Sequence, residues 1–287
     1  MVRDAFAFYH PIVNFLYFAA VIGCAMFFLH PILLGISFLC AACYALYLKG
    51  KKALFFGLVF MLPLLIITAA MNPLFNHQGA TILSYLPNGN PVTLESVLYG
   101  FAAAGMLVTV IAWFMCFNAV ITGEKMIYLF GRIAPVLSLV LSMSMRFVPR
   151  FAAQAKVIRN AQRGMGQKPG LVKTLSILVT WALENAIETA DSMKARGYGL
   201  PGRTAFSIFS FNRRDGYALA YITLCAAVIF TGAATGALRF RYFPAIQVHE
   251  VTTSTYIFFG VYFALCAFPL ILNMKEAFRW KYSASTA

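Results

Sequence analysis

Charge is what this sequence has least of. Only 11% of its 287 residues are Asp, Glu, Lys or Arg, and acids are scarcest, nine against 23 Lys and Arg. So few charges cannot cover a water-facing surface, which excludes a soluble globular domain and leaves an integral membrane protein. A 61% hydrophobic composition and a mean hydropathy of +0.76 agree. No Gly-Lys-Ser/Thr phosphate loop occurs, so ATP used on this chain's behalf must be hydrolysed by another subunit. The four histidines (His10, His30, His77, His249) are scattered, and none has ligand-like spacing with Cys, Asp or Glu. No acid sits in the middle of an apolar run; Glu95, Glu124 and Glu250 fall at boundaries. That argues against a proton-coupled carrier and against an intramembrane enzyme with a charged site. No catalytic, cofactor-binding or metal-binding residue is assigned. The six cysteines (Cys24, Cys40, Cys43, Cys116, Cys225, Cys266) lie in apolar runs and read as small buried apolar residues. The first apolar segment follows Arg3 without a small-residue cleavage site and reads as a retained span.

The apolar runs define the architecture. A bilayer core ~30 Å thick needs about 20 apolar residues per helix. Six stretches qualify or come close: Ile12–Leu29, Ile32–Leu48, Ala53–Met71, Val97–Val120, Tyr217–Leu238 and Thr253–Leu272. The expected fold is all-α, a polytopic membrane helix bundle of about six spans with a cytoplasmic helical subdomain. Residues 1–122 hold the first four spans with an outer loop at 72–96, residues 123–215 the cytoplasmic region, and residues 216–287 the last spans and a tail. The net charge of +14 follows the positive-inside bias. With six spans, Arg3, the Lys49/Lys51/Lys52 turn, Lys125 with Arg132, Arg213 with Arg214, and the Lys275/Arg279/Lys281 tail share one side, the cytoplasm, with both termini. Only Arg239 and Arg241 stand against that rule. The basic residues lack any groove-reading or aromatic-interleaved pattern, so nucleic acid is not an expected partner. The outer loop, with Asn72-Pro73 and Pro87-Asn88-Gly89-Asn90-Pro91, carries a hairpin signal.

Between the fourth and fifth spans the sequence turns basic and helical. The apolar stretch Met126–Met145, interrupted by Gly131, Arg132 and Pro135, is expected as a helix along the membrane face; a seventh span is the competing reading. Phe151–Arg163 follows as a helix with Lys156, Arg159 and Arg163 on one face, stopped by Gly164 and Gly166. A second helix runs from about Leu171 to Ala195 with Glu184, Glu188 and Asp191 on one face, and stops at Gly197. The opposite charges suggest that the two faces pair. Apolar packing must supply most of the energy, since exposed ion pairs contribute only ~0–1 kcal/mol. Leu175, Leu178, Ala182, Ile187 and Ala190 are expected to meet Phe151, Ala155 and Ile158 there.

Both helices end in an Arg-Gly step, Gln162-Arg163-Gly164 and Ala195-Arg196-Gly197, 33 residues apart (196 − 163). Each has a plain structural reading: a basic residue offsets the helix dipole and glycine relieves the left-handed turn. Two such ends on consecutive helices also suit a docking role. A guanidinium at a helix tip is a fork for carboxylates or carbonyls, and the small neighbours would let it enter a groove. The Gly197–Gly202 run follows a helix rather than a strand, so it reads as a turn or docking surface more readily than as a phosphate cradle.

Three segments resemble a known family: Asn72-Pro73-Leu74-Phe75-Asn76-His77-Gln78-Gly79, with Pro87-Asn88-Gly89 and Thr93-Leu94-Glu95 after it; Ser142-Met143-Ser144-Met145-Arg146-Phe147-Val148-Pro149 leading into Ala161-Gln162-Arg163-Gly164; and Ala190-Asp191-Ser192-Met193-Lys194-Ala195-Arg196-Gly197-Tyr198-Gly199. Over about Met71 to Arg203 the chain looks like the transmembrane (T) component of energy-coupling factor transporters, the family that includes cobalt-transport permeases. The resemblance implies a non-catalytic scaffold of an ABC-type importer in the inner (cytoplasmic) membrane. Its partners would be two ABC-type ATPase subunits and a small substrate-binding membrane (S) subunit that captures a vitamin or a transition-metal ion. Gln162, Arg163, Gly164, Ala195, Arg196 and Gly197 would form the ATPase-coupling motifs. Gln162 departs from the family pattern, which has alanine there. A conventional ABC importer permease is the alternative; a membrane enzyme or scaffold that never meets an ATPase is a third class.

Overall fold

The structure, a computed structural model, describes residues 4–85, 90–131, 134–166, 168, 170–198, 200, 209–244, 247–248 and 253–285. It is an all-α polytopic bundle divided into two compact units: Met1–Thr122 with Ser210–Ala287, and Gly123–Phe209.

The first unit holds α1 (Pro11–Phe27), α2 (Pro31–Lys49), the span Lys51–Phe75, α5 (Leu94–Val120), α9 (Arg213–Ala234) and α10 (Thr253–Ser285). The span Lys51–Phe75 is built from α3 (Lys51–Phe56), a π-helical turn (Gly57–Met61) and α4 (Leu62–Phe75). Among the described residues five helices are long and apolar enough to cross a bilayer, making this a multi-pass membrane protein. The sixth apolar helix, α1, has 17 residues. At 1.5 Å per residue it reaches about 25 Å, at the lower end of the lengths that span a bilayer core. Pro11 and Pro31 each open a helix, where proline lacks no bond the helix needs.

Helix α5 is the hub, packed against α1, α2 and α4. Its glycine lets α4 close in: a Cβ on Gly100 would lie 2.6 Å from the carbonyl oxygen of Ala69. The core is aromatic. Trp113, Tyr17, Tyr44, Tyr262, Phe6 and Phe18 are fully buried, and Tyr17 meets the rings of Phe6 and Trp113 edge-on. Their polar handles are satisfied as burial demands: Trp113 Nε1 donates to Ser37 Oγ at 2.8 Å, and Tyr17 OH to the Cys266 carbonyl at 3.1 Å. Two buried acids tie the N-terminal segment to this bundle. Asp4 accepts from Tyr44 OH at 2.7 Å and from Asn273 Nδ2 at 2.6 Å; Asp215 accepts from the His10 backbone N–H at 3.1 Å. The segment enters the bundle through these polar contacts as well as by apolar packing.

Between α4 and α5, β1 (Ile82–Tyr85) pairs antiparallel with β2 (Pro91–Thr93). The Pro87-Asn88-Gly89 turn of the expected hairpin lies outside the described residues, as do Arg3, Arg132, His249 and Glu250. Of the six free cysteines four are buried; Cys43 is exposed and Cys24 half-buried, so burial of all six is corrected. Cys40 and Cys43 stand at Cys-x-x-Cys spacing, yet both are free within α2.

The second unit holds α6 (Gly123–Gly131), α7 (Pro135–Gly164) and α8 (Leu171–Ala195). The single helix expected over Met126–Met145 is divided: α6 ends at Gly131 and Pro135 opens α7. Proline is favoured at the first helical position and disfavours α-conformation in the residue before it, which accounts for the break. Helix α7 then runs 30 residues, through Pro149, so the helix expected from Phe151 is its second half.

Candidate functional site

Helices α7 and α8 pack antiparallel, with Gln162 beside Thr174 at one end and the Phe151 ring edge-on to Trp181 at 5.8 Å further along. The seam is narrower than expected. Ile158, Gln162 and Thr174 are buried, with Leu178, Trp181, Ala182 and Asn185 half-buried. Leu175, Ile187 and Ala190, expected in the seam, are exposed instead. The two charged stripes do not meet: among the described residues Lys156, Arg159 and Arg163 form no ion pair with Glu184, Glu188 or Asp191, and all six are exposed. Charged side chains gain more in water than in a weak exposed pair.

Beside its acidic stripe, α8 also turns an apolar row outward. Leu175, Val179, Leu183 and Ile187 repeat at four-residue intervals, and each is between 55% and 66% exposed. With Leu171 and Val172, both 82% exposed, they make an unpartnered stripe from the start of α8 to Ile187. Such a patch marks a surface that meets lipid or another protein. The sequence signal was present in the i, i+4 repeat itself, but the repeat does not say which of several apolar rows a neighbour covers.

The two Arg-Gly steps are structurally unlike. At the end of α8, Arg196 is the C-cap and Gly197 takes the left-handed conformation at φ +77°. The Gly197 N–H donates to the Lys194 carbonyl at 2.9 Å, and the Tyr198 N–H to that of Met193 at 3.0 Å. This is a Schellman closure, which satisfies two of the orphan carbonyls of the last turn. At the end of α7 the left-handed residue is Gly166, at φ +72°, whose N–H donates to the Arg163 carbonyl at 3.0 Å. Gly164 is still helical, with open space around the Cβ it lacks. Arg163 therefore sits three residues before its turn glycine (166 − 163), where Arg196 directly precedes its own. The expected equivalence of the two ends is corrected.

Arg163, Gly164, Ala195 and Arg196 are exposed, and neither guanidinium has an ion-pair partner among the described residues. Gln162, between Ala161 and Arg163, turns the other way. It is only 2% exposed, and Thr174 Oγ1 lies 3.3 Å from its Oε1 while also 2.8 Å from the Gly170 carbonyl. The hydroxyl's one proton is shared between the two acceptors, so Gln162 clasps the start of α8. Its Nε2 has no hydrogen-bond partner among the described residues. Gly199, Pro201 and Gly202 of the glycine run lie outside the described residues. No group of three or more His, Cys, Asp or Glu is arranged to hold a metal among the described residues.

A multi-pass helical membrane protein with a paired-helix unit ending in exposed arginines is the class that these observations define. Three curated relatives are named energy-coupling factor transporter transmembrane protein EcfT. The chain is 34% identical to that of Lactobacillus helveticus over 104 residues, 32% of this chain and 38% of the relative. It is 38% identical to that of Lacticaseibacillus paracasei over 90 residues, 28% of this chain and 34% of the relative. To that of Bacillus selenitireducens it is 27% identical over 194 residues, 60% of this chain and 72% of the relative. The chain thus spans little more than a third of the length of the first two relatives. No family model matches it. The resemblance read from the three sequence segments is therefore a similarity to T components of energy-coupling factor transporters.

Proposed function

We propose that this chain is the transmembrane scaffold of an energy-coupling factor importer in the cytoplasmic membrane, with both termini in the cytoplasm. Two partner ATPase subunits hydrolyse ATP, and the α7–α8 pair carries their motion to a small membrane-embedded S subunit that holds a vitamin or a transition-metal ion. The observation that carries the reading is the Ala195-Arg196-Gly197 tip: a fully helical lever closed by a Schellman turn, with an unpaired guanidinium beside the closing glycine. A closed helix end transmits displacement without unwinding, and the guanidinium is a fork for acceptors on the ATPase surface. The apolar stripe Leu175–Ile187 on α8 suits a partner whose own surface is apolar, as a membrane-embedded S subunit's is. Since Gln162 is turned into the seam, Arg163 and Arg196 are the contact residues and Gln162 positions α7 against α8.

Arg196→Glu tests it. A reversed charge at a docked guanidinium is expected to lower ATPase copurification and uptake by at least about tenfold, 1.4 kcal/mol of binding, while membrane insertion stays at the native level. Undiminished uptake would count decisively against the reading. Arg163→Glu is expected to cost less. Mass spectrometry of proteins copurified in mild detergent separates this function from a conventional importer permease: a small membrane subunit supports it, a periplasmic-type binding protein refutes it.

A further inference from the structure

The two arginines that break the chain's charge bias, Arg239 and Arg241, flank Phe240 just beyond α9. A cavity of about 430 Å³ opens there between α1 and the end of α9, within the range of roughly 300–1,000 Å³ typical of ligand sites. Cys24 and Phe27 of α1 and Ile229, Phe230 and Ala233 of α9 wall it, and Arg239 is the one charged residue among its described lining. The walls open outward: Phe27 is 86% and Phe230 76% exposed. The backbone of Arg239 is held by its N–H donating to the Gly236 carbonyl at 3.0 Å, while its exposed guanidinium has no ion-pair partner among the described residues. A lone cation at the mouth of an apolar trough suits a molecule with an anionic head and a hydrocarbon tail. A free anion would use only the head end of such a site.

We infer that this trough binds one anionic phospholipid, its phosphate on the Arg239 guanidinium and an acyl chain along the α1–α9 wall. Guanidinium matches phosphate as a two-pronged donor, and burial of the chain is driven by the apolar wall. The inference needs only that the chain lies in a membrane, so it stands or falls apart from the coupling role.

The full chain is reconstituted in nanodiscs of equimolar phosphatidylglycerol and phosphatidylcholine and moved to mild detergent, and retained lipid is counted by native mass spectrometry. The expected result is one retained phosphatidylglycerol per chain, favoured about fivefold, the weight of one basic residue near an anionic headgroup. Arg239→Gln should bring the two lipids to parity. Ala233→Phe, which fills the trough and keeps the charge, should reduce retention of both. Equal retention of the two lipids by the native chain, or native retention in both variants, overturns the inference. So does an equal loss from Arg241→Gln, which marks diffuse surface charge. Displacement by millimolar inorganic phosphate assigns a free-anion site and overturns it too; unchanged retention supports the lipid.

Discussion

The Arg-Gly steps at the ends of α7 and α8 should answer the same mutation with opposite signs. Gly197 holds φ +77°, a conformation that costs a residue with a Cβ about 1–2 kcal/mol. Its added methyl would also approach Leu200 Cδ1 at 3.1 Å, a contact that a flexible leucine can relieve. Gly197→Ala should therefore destabilise the Schellman turn by about 1–2 kcal/mol. Gly164 is helical with nothing within 4 Å of its missing Cβ. Alanine there gains helix propensity, up to about 1 kcal/mol and less so near a fraying end. Hydrogen exchange in nanodiscs reads both. In Gly197→Ala the amides of Gly197 and Tyr198, which close the turn, should exchange roughly 5–30-fold faster, the ratio that 1–2 kcal/mol sets. In Gly164→Ala the last turn of α7 should exchange more slowly. The same direction of change in both variants would falsify the assigned registers, because it would put both glycines in one conformation.

Two further perturbations test the bundle. His30, outside the spans in the α1–α2 turn, lies against the rings of Phe240 and Phe259 with no partner for Nδ1 among the described residues, and burial lowers its pKa below the usual 6.5. A base held neutral stabilises the fold fully above its unfolded pKa, and that stability is lost as pH falls through about 6.5 toward the lowered folded value. Thermal unfolding in detergent should show this loss on acidification and His30→Phe should flatten it; an unchanged pH profile refutes it. Gly100→Ala should lower thermal stability by about 1–3 kcal/mol, since the new methyl meets the Ala69 backbone oxygen at 2.6 Å and α4 must move; native stability would show that α4 and α5 are not so close.

Much of the bundle was legible because its signal is local. Runs such as Ile32–Leu48 and Val97–Val120 map onto α2 and α5 within a few residues, since length and apolarity alone decide whether a helix can span. The start and end of α8 were equally plain, set by Gly170 and Gly197 at its edges. The interruption at Gly131–Pro135 was legible but not its outcome as two helices, because a proline among apolar residues can interrupt, kink or begin a helix, and neighbours choose which. Asp4 and Asp215 drew no notice, because their partners Tyr44, Asn273 and His10 lie far away in sequence.

Sequence by itself determined the membrane class, the helical spans, and the positions of Arg163 and Arg196 near the ends of two consecutive helices. These are properties of composition and short-range spacing, which chain connectivity cannot alter. Only the tertiary structure decided that Gln162 is inward, that Arg163 stands a turn before its closing glycine, and that Leu175 and Ile187 face out rather than into the seam. The reason is geometric: an apolar row or an Arg-Gly step is compatible with several rotations of a helix about its axis. The rotation is selected by which side chains its neighbour can cover, and that information is spread over residues distant in the chain.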